Sequence, residues 1–146
     1  MITILCDTGN HVSLSVDSLA GADLTGLELH RARLERADLT RAVLLRANLR
    51  GALLIGSVLF EADLREAKLM TAQLIDADLR RADLRDAWLN AAILDGANLE
   101  GADLRGAHLD GAFVMRAKVG GARATRGSFD QRQMESIIGA EAIQWC

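Results

Sequence analysis

Leucine stands at every fifth position of the chain from Leu14 to Leu109, and Val114, Val119, Ala124 and Phe129 hold the same phase. Two residues before nearly every one sits an alanine: Ala22, then Ala32 through Ala122 in the same step, interrupted at Leu27 and Ser57. The three remaining positions of each repeat are largely charged, polar or glycine. No ordinary element accepts this pattern. On an α-helix a five-residue step turns about 140° and scatters the leucines around the axis. On a strand an odd step sends successive leucines to opposite faces. A coiled coil needs a period of about 3.5, and a leucine-rich repeat about 20–29. The remaining solution is a chain that bends once per repeat, so that every leucine turns back toward one axis. Four bends make a twenty-residue coil, and stacked coils bury a column of leucine and alanine.

The ends depart from the period. The first sixteen residues read as a hairpin. Ile2–Leu5 is β-prone, Asp7–Asn10 is a turn, and Val12, Leu14 and Val16 alternate with polar residues. Near the C-terminus, Ser128-Phe129-Asp130-Gln131 has the spacing of a capping box that opens a helix. Met134, Ile137 and Ile138 then make one apolar stripe, Gly139 is a helix stop, and Trp145 folds back with Ile143 as part of a C-terminal cap. A solenoid needs such caps because both ends of its core are otherwise open.

The repeat itself carries a resemblance. Ala62-Asp63-Leu64-Arg65, Ala82-Asp83-Leu84-Arg85, Ala97-Asn98-Leu99-Glu100-Gly101 and Ala102-Asp103-Leu104-Arg105-Gly106 resemble the A(D/N)LXX motif of pentapeptide repeat proteins. The resemblance implies an all-β solenoid: a right-handed quadrilateral β-helix, here of about 5–6 coils, with a short C-terminal α-helical cap. The handedness comes from the family and not from the period. The expected organisation is an N-terminal hairpin cap over 1–18, the β-helix over 19–129, and a helix and tail over 130–146, all in one structural domain.

Composition agrees with a narrow core. The chain is 50% hydrophobic yet only 3% aromatic, and it has no proline to interrupt inter-coil hydrogen bonding. No apolar run approaches the roughly 18 residues of a membrane span. Two cysteines are too few for a disulfide framework, and no secretory signal is legible, so a cytoplasmic location is expected.

Residues twenty apart stack, which sorts the surface into columns. Asp63, Asp83 and Asp103 precede their leucines in one column, and Arg65, Arg85 and Arg105 follow them. This reads as a surface ion ladder rather than a pair of catalytic carboxylates. A second column is apolar where a solenoid has no need of hydrophobes: Leu53, Ile55, Ile75, Ile93, Phe113 and Met115, with Arg33 and Glu35 before them and Gln73 and Asp95 between. Exposed contiguous apolar surface marks an interface. A homodimer, cover by the protein's own termini, and a different protein partner all remain open. Arg31, Arg36, Arg41 and Arg46, one per repeat, ring the solenoid and make no one-sided nucleic-acid patch.

No metal or cofactor site is legible. His30 and His108 share a column but lie four coils apart, roughly 19 Å by strand spacing, and neither cysteine has a ligand-spaced neighbour. The glycines at 96, 101, 106, 111 and 121 keep the five-residue phase, so they are turn residues and not a phosphate cradle. Ser57 reads as a small core residue, and Arg80 as a surface residue of little consequence. The expected function is a non-catalytic structural or protein-interaction solenoid, with neither nucleic acid nor membrane as a direct partner. The resemblance implies one alternative, a DNA mimic that binds or modulates DNA gyrase. Charge weighs against it: roughly 26 Å of duplex carries about 15 negative charges, whereas this chain has a net charge of −3. Residues 61–110, the acidic part, hold eleven acids against six bases.

Overall fold

The computed structural model describes residues 1–146. Its elements are β1 (Ile2–Leu5), β2 (His11–Leu14), β3 (Asp103–Leu104), β4 (Arg123–Ala124), α1 (Gln131–Ser136), a 3-10 turn at Ala140–Ala142, and β5 (Gln144–Trp145). Between the hairpin and α1, pairing consists mainly of parallel bridges between residues twenty apart, in four series. Face one runs from Asp23 through Val43, Asp63, Asp83 and Asp103 to Arg123. Face two runs from Glu28 through Asn48, Lys68 and Trp88 to His108. Face three runs from Arg33 through Leu53, Gln73 and Ile93 to Phe113, and face four from Asp38 through Val58, Asp78, Asn98 and Lys118 to Ile138. The leucines and alanines between them form one continuous core, and most have no solvent exposure.

The hydrogen bonds explain why the repeat tolerates so little variation inside. In the repeat around Leu74, Ala72 N–H donates to Leu69 O at 3.0 Å, Gln73 N–H to Ala52 O at 2.9 Å, Leu74 N–H to Ile93 O at 2.7 Å and Asp76 N–H to Asp95 O at 3.0 Å. The remaining N–H, on the residue after the leucine, has no backbone acceptor. An Asp or Asn just before the leucine supplies one. Arg65 N–H donates to Asp63 Oδ1 at 3.2 Å, Arg80 N–H to Asp78 Oδ1 at 3.2 Å and Glu100 N–H to Asn98 Oδ1 at 3.1 Å. The acidic or amide position of the motif is thus a local side-chain acceptor for an otherwise orphaned donor.

Each bend is a tight turn closed by a bond such as Ala77 N–H to Leu74 O at 3.1 Å. The third residue of the turn must adopt a positive φ, as in a type II turn. Every fifth residue from Gly21 to Gly121 does so, and twelve of them are not glycine. These include the ring Arg31, Arg36, Arg41 and Arg46, all at φ 55–58°. For an L-residue that conformation costs about 1–2 kcal/mol, partly offset by the greater chain entropy that glycine loses. Ala91, exposed at φ 54°, has no side-chain polar group to complicate the comparison. Ala91→Gly should therefore raise stability by about 0.5–1 kcal/mol. A lower melting temperature than wild type would show that the corner is not strained.

Both ends are closed. The hairpin β1–β2 pairs antiparallel with Ile2 opposite Leu14, so Leu14 belongs to the hairpin. It docks through Cys6 against Ala32 and through an Arg33 N–H to Leu5 O bond of 2.8 Å. Ile4 and Cys6 are buried there, and burial, with a smaller push from Asp7, raises the Cys6 thiol pKa.

The C-terminal expectation needs correction in three places. The capping box is not Ser128 with Gln131 but Asp130 with Gln133, two residues later. The helix stops at Ser136, before Ile137. Ile137 is already extended, at φ −82° and ψ 159°, so Ile137 and Ile138 point opposite ways rather than along one stripe. Ile137 is buried, while Ile138 is 49% exposed and extends face four beside Lys118. Met134 and Trp145 pack partly buried against the core as a cap should. Gly139, at φ 82°, opens the 3-10 turn that leads to β5, which pairs parallel with β4. No helix is long and apolar enough to cross a membrane.

Candidate interaction face

From Asp63 onward, face one is a continuous chain of charge pairs, and Val43 separates it from Asp23. Arg65, Arg85 and Arg105 each hold the aspartate two residues earlier at 2.6 Å, and Arg65 and Arg85 also reach the next aspartate along, at 3.8 and 4.0 Å. Arg123 closes the series on Asp103 at 3.4 Å. The guanidinium hydrogen bonds of Arg65 and Arg105 hold the carboxyls of Asp63 and Asp103 below the ordinary carboxylate range, against the opposing effect of burial. On face four Arg80 does the same to Asp78.

A carboxylate depressed in the folded state contributes stability above its unfolded pKa of about 4 and loses it as pH falls through the lower folded value. The urea midpoint of the wild type should therefore drop between pH 5 and pH 2, over and above general acid effects. The Asp63→Asn, Asp103→Asn double variant should drop less. Equal drops would show that these pairs do not couple to folding.

The corners add pairs that the four-arginine ring did not suggest. Glu61 takes Arg41 at 2.7 Å from one side and Arg81 at 3.6 Å from the other, and Arg46 meets Glu66 at 2.9 Å. Arg31 and Arg36 form no ion pair. The signal was available, since 41, 61 and 81 are twenty apart, but it appears only when the corner positions are read as columns too.

Face two holds a feature the sequence reading passed over. The rings of Trp88 and His108 stack with centroids 4.4 Å apart and planes 28° from parallel, and Trp88 is 46% exposed. His30 does not share the column of His108 as expected: that column runs back to Glu28, and His30 lies on the same face in the other row, after its leucine rather than before. Arg80 is also more than a bare surface residue: it grips Asp78 with two bonds of 2.8 and 2.7 Å and sits 5.5 Å over the Phe60 ring. Ser57 is fully buried and donates its hydroxyl to Leu54 O at 2.8 Å, as a core residue must.

Face three brings the six apolar candidates together in two rows on either side of the buried leucines. Leu53, Ile93 and Phe113 precede them, and Ile55, Ile75 and Met115 follow. Ile55 is 36% exposed, Phe113 59% and Met115 62%, while Leu53, Ile75 and Ile93 are half-buried, and residues 130–136 border Phe113 and Met115 at one end of the face. The face has no Asp or Asn before a leucine, so the Ile55 and Ile75 N–H groups have no acceptor within the chain. Only Met115 N–H finds one, the Asp95 carboxylate at 2.8 Å. The corners flanking its middle are small, with Gly51, Thr71 and Ala91 on one side and Gly56 and Gly96 on the other. The side chains of Arg31 and Arg36 lean over Gly51 and Gly56, and Asp76 lies beside Gly96.

Gln133 is the other residue that sequence reasoning missed. It is buried, accepts from Asp130 N–H at 2.8 Å, and donates through Nε2 to Leu109 O at 2.9 Å and Ala112 O at 3.0 Å. It thereby caps helix and stack at once.

Comparison with known proteins follows the same pattern. The family model described as pentapeptide repeats matches in 8 copies, over residues 18–56, 47–86 and 83–121. Among solved structures, the chain is similar to the pentapeptide repeat protein Rfr23 from the cyanobacterium Cyanothece 51142, at 26% identity and a TM-score of 0.59, covering 87% of this chain and 90% of that one. It is also similar to QnrB1, a plasmid-mediated fluoroquinolone resistance protein, at 16% identity and a TM-score of 0.53, covering 88% and 79%. The second likeness concerns the fold alone. A search of curated proteins found no match.

Proposed function

The chain belongs to the pentapeptide repeat family, and on that premise we propose that it is a non-catalytic scaffold that works by contact, associating with a second copy through face three. Members of the family fold as right-handed quadrilateral β-helices. We infer the same closure here, with about five to six coils of twenty residues. The observation that carries the contact reading is the exposed apolar surface of Ile55, Phe113 and Met115. A solenoid buries its core without those side chains, so their apolar character needs a second surface to account for it. The two cysteines, one buried and one exposed, are both unpaired and suit the reducing cytoplasm proposed for it.

The test is mass in solution. Wild type should be a dimer, and the Ile75→Glu, Phe113→Glu double variant a monomer with an unchanged circular dichroism spectrum. A monomeric wild type, or a double variant that stays dimeric, overturns the reading. Mimicry of DNA at gyrase is the less favoured function. The aspartates that would stand for phosphates are each held by an arginine at 2.6 Å. Strong inhibition of supercoiling by the purified protein would reverse that order.

A further inference from the structure

We propose that the second copy docks in parallel, face three to face three, about a two-fold axis running along the stack. This rests on the reading of face three as the contact surface and adds the arrangement of the two chains.

The argument is one of symmetry. Two stacks that face each other through the same surface can run in parallel or in opposite directions. In the parallel case the axis exchanges the two rows of face three. A residue before a leucine then meets the residue after the same leucine in the other copy. In the opposed case each row meets itself, with its order reversed about the central repeat.

The parallel pairing matches in kind along most of the face. Arg33 meets Glu35, a pair that already leans together at 4.0 Å within one chain. Leu53 meets Ile55, and Phe113 meets Met115. Gln73 meets Ile75, whose N–H lacks an acceptor that the Gln73 carboxamide can supply. Ile93 meets Asp95, so this pair and Gln73 with Ile75 are the two of five that set a polar residue against an apolar one. At the corners, Gly51 meets Gly56 with the Arg31 and Arg36 side chains against them, Ala91 meets Gly96, and Thr71 can donate to Asp76.

The opposed pairing fails on charge. It sets Asp76 against Asp76 at the centre and Arg36 against Arg116 at both ends, and like charges facing across an interface are penalised. The parallel pairing opposes like charges only at Arg31 and Arg36, on the rim of the first repeat, where long side chains can turn to solvent and Glu35 lies between.

Cross-linking separates the two. Packed sheets lie roughly 10 Å apart, beyond the reach of a disulfide but within that of a short bismaleimide. The bridges from Arg33 to Phe113 span four steps, roughly 19 Å. In a Cys146→Ser background, where the remaining Cys6 is buried, an Arg33→Cys variant should link to its own copy. Its exposed ion pair contributes little to association, so the substitution leaves the dimer intact. Circular dichroism checks that each variant folds. The expected result is a covalent dimer as the main species from Arg33→Cys alone, and no mixed product after co-refolding with Phe113→Cys. If Arg33→Cys fails to self-link but links to Phe113→Cys, the parallel arrangement is wrong and face three still stands as the interface. A protein that is monomeric, or dimeric and indifferent to Phe113→Glu, overturns both.

Discussion

Leu74→Ala should lower the stability of the protein by about 2–5 kcal/mol, and Leu74→Asp should leave no folded protein. Leu74 has no solvent exposure, and its own N–H and C=O are held by Ile93 O at 2.7 Å and Ala77 N–H at 3.1 Å. The backbone around it is therefore fixed by the ladder and cannot close over a lost side chain. Leu54 and Leu94, its neighbours along the stack, are equally fixed. Such a site collapses poorly, which puts the loss in the upper part of the range. A carboxylate there would have no charged partner, because no charged side chain is buried in the core. Lys118→Ala is the comparison: the side chain is exposed and forms no ion pair, so the cost should stay under about 0.5 kcal/mol. Urea titration followed by circular dichroism measures both. Similar midpoints for the two alanine variants would mean that the leucines do not form the core.

Gln133→Leu should cost about 2–4 kcal/mol, although the replacement is apolar and of similar size. The effect comes from what is left behind. Asp130 N–H loses its acceptor and Ala112 O loses its donor, while Leu109 O keeps only the Ala112 N–H. Each buried polar group left unsatisfied costs about 1–3 kcal/mol. The damage should be local. Gln133 supplies the buried polar attachment of helix α1 to the last repeats, beside the Met134 packing and the Arg116 N–H to Ser136 O bond of 2.8 Å. Protease cleavage near residues 126–136 should therefore rise before the stack unfolds. A variant that resists protease as wild type does would show that the three bonds contribute nothing to the cap.

What the sequence disclosed, and what it did not, follows from where the period reaches. Leucine and alanine recur in strict phase because the inside favours them, with Ser57, Val114 and Val119 as small exceptions, so the inward set was legible from residue numbers alone. The aspartate before each leucine was legible as a charge but not as an acceptor for the following N–H, since that N–H is orphaned only by the geometry of the bend. The positive φ at arginine corners was hidden for a similar reason. Glycine announces such a conformation, whereas Arg31 or Glu66 adopts it because the neighbouring turns require it. At the C-terminus the period ends, and only short-range signals remain. Ser128 and Asp130 both offer a cap with a glutamine three residues on, and the choice fell to Asp130 because Gln133, not Gln131, reaches the open carbonyls of the stack. The Trp88–His108 stack was visible in principle, because the two are twenty apart.

The twenty-residue bridge spacing also decides how the gene can change length. An in-frame duplication of twenty codons inserts one more layer and returns every later side chain to the face it had before, so the ion ladder and the apolar face simply grow. A duplication of five codons preserves the leucine core yet turns everything downstream by a quarter of a revolution. The molecule would still fold, but the two halves of face three would point in different directions. Any gain or loss that is not a multiple of five puts charged residues where leucines belong. Mutation in this chain is therefore sorted by arithmetic: changes in one class are lethal to the fold, those in another spare the fold and scramble the surface, and only those in the third leave both in register.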